Sequence, residues 1–218
     1  MVFEKEFQDY GYTDIIGYSG KNITEKMIAE CVEIDNQFFE PEFIWDADNM
    51  KEIVLKFNQM CFVFVDKTIN KVIGFSFWLP IKTKVFNAFI QNNVPLLEFR
   101  ENFFSSYKEE YINLFLSSEA YVLGYDVKKL HKAVEDIFCK RLIDLAYIGT
   151  KVKYVAFEAT CKFDEQYLAK TIGFTQKIKR KTTTFFYDEY SPEKIFKESK
   201  YISGLKQLYK TSEEKDEV

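Results

Sequence analysis

The chain has 218 residues, 47% hydrophobic and 18% aromatic, which is ample for one packed domain and excludes a disordered composition. A net charge of −4 sets up no field toward nucleic acid or anionic lipid, and no apolar run approaches the roughly 18 residues that suggest a membrane span. Cys31, Cys61, Cys139 and Cys161 form no Cys-x-x-Cys pair and accompany a single histidine, so a zinc site is poorly supported and most of the thiols read as core filling.

Asn22 followed by Glu25 reads as a capping box, opening a helix with Met27, Cys31, Ile34 and Phe38 on one face. Asp48 is expected to cap a second helix through Met50, Ile53, Val54 and Phe57, with the aromatic stretch 39–46 as an irregular connection. The β-rich runs 61–65 and 71–79 predict an antiparallel hairpin, and Pro80 either ends its second strand or marks an edge. Residues 83–111 read as an insertion between strands, with helical fragments at 85–90 and 96–107.

A strand is expected over 112–123. The helix that follows, from Val127 to about Ile148, is strongly specified. Leu130, Ala133, Val134, Ile137, Phe138, Leu142 and Leu145 make its apolar stripe, and Gly149 stops it. Then come an apolar strand 152–159, a short helix up to Ile172, one long strand 175–187, a helix start at Ser191-Pro192 and an acidic, fraying tail. Strand 112–123, its helix and strand 152–159 form a right-handed crossover with parallel neighbours. The fold class is therefore α/β, a mixed, mostly antiparallel sheet with one parallel pair and helices on both faces. The domain spans 1–190, followed by a C-terminal helix and tail over 191–218. The opening residues do not read as a secretion leader, and the cytoplasm is the expected compartment.

Lys128, Lys129, His131 and Lys132 crowd the start of the crossover helix, where the helix dipole disfavours cations. Either they are solvated side chains, or an anion docks at that turn and reverses the sign. The 27 lysines against three arginines reflect an AT-rich coding bias more simply than they reflect function.

The order of elements resembles the GCN5-related N-acetyltransferase superfamily. Four fragments carry the likeness: Val72-Ile73-Gly74-Phe75, the crossover helix, Val155-Ala156-Phe157-Glu158, and Ala169-Lys170-Thr171-Ile172-Gly173-Phe174. The last is similar to the family's closing Tyr-x-x-Leu-Gly-Phe, with Ala169 replacing the tyrosine. The resemblance implies acetyl-coenzyme A as cosubstrate and a small-molecule or protein amine as acceptor.

Pantetheine would then pair with the backbone of Ala120, Tyr121, Val122 and Leu123, and the backbone near Val122 would polarise the acetyl carbonyl. Pyrophosphate would rest on the helix start around Lys128, Lys129, His131, Lys132 and Ala133. The local pattern Lys128-x-x-His131-x-Ala133 lacks the family's glycine pair, and a shifted register places Ala133-Val134 on that signature instead. Lys162 takes the position of a family asparagine. Glu119 is the implied base, with Glu158 as the alternative, and Tyr167 or Tyr125 the acid for the thiolate. Cys161 follows the Glu158 strand and reads as a packed or exposed thiol rather than a nucleophile.

The second reading is a catalytically inactive domain of this type that binds coenzyme A or a protein partner. A third uses Lys177, Lys179, Arg180 and Lys181 against nucleic acid, although such a cluster in an acidic chain reads better as a solvated strand. The aromatic insertion is compatible with an acceptor-side cover, with extra core, or with a homodimer face.

Overall fold

The computed structural model describes residues 14–38, 46–91, 103–122, 127–159, 165, 172–181 and 183–210. Seven strands form a mixed sheet. They are β1 (Ile15–Ser19), β2 (Cys61–Asp66), β3 (Lys71–Ile81), β4 (Tyr111–Tyr121), β5 (Lys151–Ala159), β6 (Gln176–Lys179) and β7 (Thr184–Glu189). Their order is β1-β2-β3-β4-β5-β7-β6. The β4–β5 pair is parallel, whereas β1–β2, β2–β3, β5–β7 and β6–β7 are antiparallel. The helices, on both sides of this sheet, are α1 (Glu25–Asp35), α2 (Ala47–Lys56), α3 (Thr83–Ile90), α4 (Val127–Tyr147) and α5 (Ile202–Lys210). By contacts the chain divides into two compact units.

The first unit holds residues up to Trp78 together with 118–137. Its α1 is capped by Thr24, whose hydroxyl accepts from the Met27 amide at 3.2 Å, so the expected Asn22 cap is displaced two residues. Residues 20–22 are instead a 3₁₀ turn. The buried face of α1 is Ile28, Cys31, Ile34 and Asp35, while Phe38 is exposed. In α2 the cap is Asp46 rather than Asp48, accepting from the Asn49 amide at 2.8 Å, and Met50 and Val54 are buried. Asp46 offers the same carboxylate acceptor two positions earlier, and the helix starts there instead.

The β2–β3 hairpin is as expected. Asp66 Oδ1 accepts from the Thr68 amide at 2.7 Å and its hydroxyl at 2.6 Å, and Asn70 takes φ 51, a left-handed conformation asparagine tolerates. β3 runs one residue past Pro80, to Ile81. All of β2, and β3 from Val72 onward, are buried, so these strands lack alternation because both faces are covered.

The second unit holds 79–117 and 138–218. Its α4 residues Phe138, Cys139, Leu142 and Leu145 are fully buried, as the stripe requires. The helix ends in a Schellman motif. The Thr150 amide donates to the Leu145 carbonyl and the Gly149 amide to Ala146, with Gly149 at φ 90.

The expected long strand over 175–187 is two strands, β6 and β7, joined by a turn in which the Arg180 amide donates to the Thr183 carbonyl at 2.9 Å. Arg180 folds back and breaks the run. Its side chain is buried against Glu158 at 3.0 Å and donates to the Phe89 carbonyl at 3.0 Å. Ser191-Pro192 opens a run of turns over 192–198, with Phe196 at φ 56; the helix, α5, starts only at Ile202. Gly173 has φ 101, and a Cβ there would fall 2.4 Å from the Lys194 carbonyl oxygen, so the glycine of Ile172-Gly173-Phe174 is required twice over.

The stretches 39–45 and 96–102, the tail from 211, and most of the expected short helix before Ile172 lie outside the described residues.

Candidate functional site

The parallel ladder between β4 and β5 stops at Leu116–Phe157, while β4 continues five residues to Tyr121. Within the first unit, residues 118–121 therefore form an edge beside β3. The Val122 amide donates to the Ile73 carbonyl at 3.0 Å, and this sets Tyr121 opposite Gly74 and Glu119 opposite Ser76 on one face. Because backbone groups alternate along a strand, those of Glu119 and Tyr121 point to the edge away from β3. The Val122 amide is committed to the sheet and is not itself a donor to an acyl oxygen.

Glu119 is half-buried, and among the described residues two hydroxyls converge on it. Ser76 Oγ donates to Oε2 at 3.1 Å, and the Tyr121 hydroxyl donates to Oε1. Behind Ser76, Trp78 Nε1 donates to Oγ at 2.9 Å. Both Ser76 and Trp78 are fully buried. The Tyr121 ring lies over Gly74, where a Cβ would fall 2.3 Å from its Cδ1 and 2.8 Å from the Ala120 carbonyl oxygen. It also stands 5.8 Å from the His131 ring, edge-on, and 6.5 Å from Phe64.

His131 does not act as a fourth cation. Burial pushes its imidazole down to about 4, so it is neutral at pH 7 and packs against Tyr121. Lys132 Nζ lies 3.8 Å from both Glu135 and Asp136, one turn further along α4. Ala133 is fully buried, as its place in the apolar stripe requires. The leading amides of α4 belong to residues 127–129. The backbone of Lys128 and Lys129 lies in this first turn, and their side chains are outside the described residues. Leu123, Tyr125, Lys162, Tyr167, Ala169 and Cys161 also lie outside the described residues.

Glu158, the alternative base, belongs to the second unit. It pairs with Arg180 and accepts from the Thr183 hydroxyl, with its side chain 3% exposed. Unlike Glu119, it is paired with a buried arginine and is almost wholly shielded from solvent. Of the basic cluster, Lys177, Lys179 and Lys181 are exposed on and beside the edge strand β6, while Arg180 is not.

The sequence reading missed Ser76, Trp78 and the Tyr121 hydroxyl. A signal was present, since Ser76 is the lone hydroxyl residue in the apolar run 72–81 and a buried hydroxyl needs a partner. It also missed Asp35, fully buried at the end of α1, one turn from Cys31. Neither oxygen makes a hydrogen bond of ordinary geometry, and burial pushes the carboxyl up to about 7, with the Ser118 hydroxyl drawing it part of the way back. Cys31, Cys61 and Cys139 are buried free thiols. Among the described residues no group of His, Cys, Asp and Glu is placed to hold a metal, and no helix is long and apolar enough to cross a membrane.

No family model matches the chain, and no curated protein matches it. Solved structures do. A chain of the NatC complex bound to Gag peptide and CoA matches with TM-score 0.54 at 12% identity, over 82% of this chain and 100% of that one. The ribosomal-protein-S5-alanine acetyltransferase from Vibrio fischeri gives 0.52 at 9% identity, over 83% and 95%. The Drosophila melanogaster polyamine N-acetyltransferase gives 0.52 at 10% identity, over 81% and 100%. At such identities the likeness is one of fold. With the strand order and the parallel pair linked through α4, it establishes that this chain has the fold of the GCN5-related N-acetyltransferases.

Proposed function

We propose that this chain is an acetyl-coenzyme A-dependent N-acetyltransferase, acting on a small-molecule or protein amine by direct attack in a ternary complex. The observation that carries the proposal is the Glu119 carboxylate, held by two hydroxyl donors at the end of β4 in this fold. An amine must be uncharged to attack, and a carboxylate held by donors at a strand end is equipped to accept its proton, directly or through one water.

Acetyl-coenzyme A, when bound, supplies the activated acyl group as a thioester. The residues present suit it at two places. Along the strand end proposed for pantetheine, at Ala120, Tyr121, Val122 and Leu123, the Tyr121 backbone groups point away from β3, and the leading amides of α4 with Lys128 and Lys129 suit a diphosphate. Tyr125 and Tyr167 are the candidate acids on the thiol side.

A second reading is a non-catalytic domain that binds coenzyme A or a protein partner. Ala169 at the family's tyrosine position, neutral His131 and the engaged Lys132 favour it.

Thiol release from acetyl-coenzyme A, followed across a panel of amines at neutral pH, separates the two. Glu119→Gln should lower the rate about 100-fold or more with acetyl-coenzyme A affinity unchanged. Full activity in the variant removes Glu119 from the mechanism. Binding with no thiol release for any amine in the unaltered protein supports the second reading.

A further inference from the structure

A base must keep both its charge and its direction, and three side chains beyond Glu119 bear on this. Trp78 Nε1 is a donor only, and at 2.9 Å it occupies a lone pair of Ser76 Oγ. The Ser76 proton is thereby turned toward Glu119 Oε2, 3.1 Å away. Tyr121 donates to the opposite oxygen, and its ring can reach there because Gly74 beneath it has no Cβ. Both bonds are donated to the carboxylate, so they favour its ionised form and fix its plane.

We propose that Ser76, Trp78 and Tyr121 are positioning residues that orient the Glu119 carboxylate for proton transfer, with Gly74 as the seat that Tyr121 requires. This rests on the acetyl-transfer reading for what the carboxylate does, but not for whether the network exists. The arrangement is local to β3 and β4. Cross-strand opposition gives Glu119 to Ser76 and Tyr121 to Gly74, and the two-residue period of β3 gives Ser76 to Trp78.

The test is carbon-13 NMR of protein labelled at the glutamate carboxyl, with the Glu119 signal assigned by Glu119→Gln. Its titration midpoint should rise by about one pH unit in Tyr121→Phe, which keeps the ring and its packing, and likewise in Ser76→Ala. Ser76→Thr, which retains the hydroxyl, should restore the original midpoint. Gly74→Ala should reproduce the Tyr121→Phe shift by displacing the ring. An unchanged midpoint in both Tyr121→Phe and Ser76→Ala overturns the network. Where an acceptor amine is acetylated, the acid limb of the kcat profile should move to higher pH in the same variants; a profile that only falls in height, with its limb in place, overturns the positioning role. Shifted midpoints in a protein that releases no thiol with any amine refute the acetyl-transfer reading instead, so the two failures are distinct.

Discussion

Arg180 shows how much a single side chain can hide from sequence inspection. Among lysines on a β-rich run it looked like part of a solvated cluster. Yet it is one of only three arginines in the chain, and it occupies a place that a lysine could not fill. One nitrogen of its fork meets Glu158, another meets the Phe89 carbonyl, and the plane lies 5.0 Å from the Phe185 ring centre. The Phe89 partner is 91 residues away, beyond any local pattern. Removing one member leaves a buried, uncompensated charge. Arg180→Ala should therefore lose about 3–5 kcal/mol in urea denaturation, and the apolar pair Glu158→Leu with Arg180→Met should recover part of that. A loss below ~1 kcal/mol would show the pair to be solvated.

Asp35 acts in the other direction. Its folded carboxyl titrates near 7 because it is buried, while the unfolded one titrates near the ordinary aspartate value of 3.8. Between those values the folded chain holds a proton the unfolded chain releases. Stability should then fall as pH rises through that window, by roughly 1.4 kcal/mol per pH unit, and level off above it. Asp35→Asn, which never ionises, should gain on the parent protein from pH 4 to pH 7. Melting curves in parallel at pH 5 and pH 8 would contradict this.

Elements were legible where several residues agree on one period. All seven stripe positions of α4 are buried, and Gly149 stops the helix by taking the left-handed conformation. The β2–β3 hairpin was readable for a different reason, because its turn residues have local chemistry. Caps slipped by two residues because Thr24 and Asn22, or Asp46 and Asp48, offer the same acceptor, and only the helix axis decides between them. The β6–β7 break escaped notice because a buried arginine, not a Gly or Pro, makes the turn.

With His131 neutral and Lys132 beside Glu135 and Asp136, the proposed diphosphate contact falls to Lys128 and Lys129. Lys128→Glu with Lys129→Glu should weaken acetyl-coenzyme A binding more than tenfold, and the loss should shrink as salt is raised. Unchanged affinity would remove the phosphate assignment.

For the molecule as a whole, element order was sufficient for the fold, since a crossover between parallel strands beside an antiparallel hairpin leaves few topologies. Ser76 stood out as the lone hydroxyl of its apolar run, but its pairing with Glu119, 43 residues away, was not legible, because it depends on the strand register. The acceptor stayed illegible because loops, rather than the sheet, select substrates. Titration calorimetry with acetyl-coenzyme A, on the unaltered protein and on the Lys128→Glu, Lys129→Glu variant, bears on the whole proposal at once. Saturable one-to-one binding, weakened more than tenfold in the variant, is the expected result. No heat of binding to the unaltered protein would contradict the account.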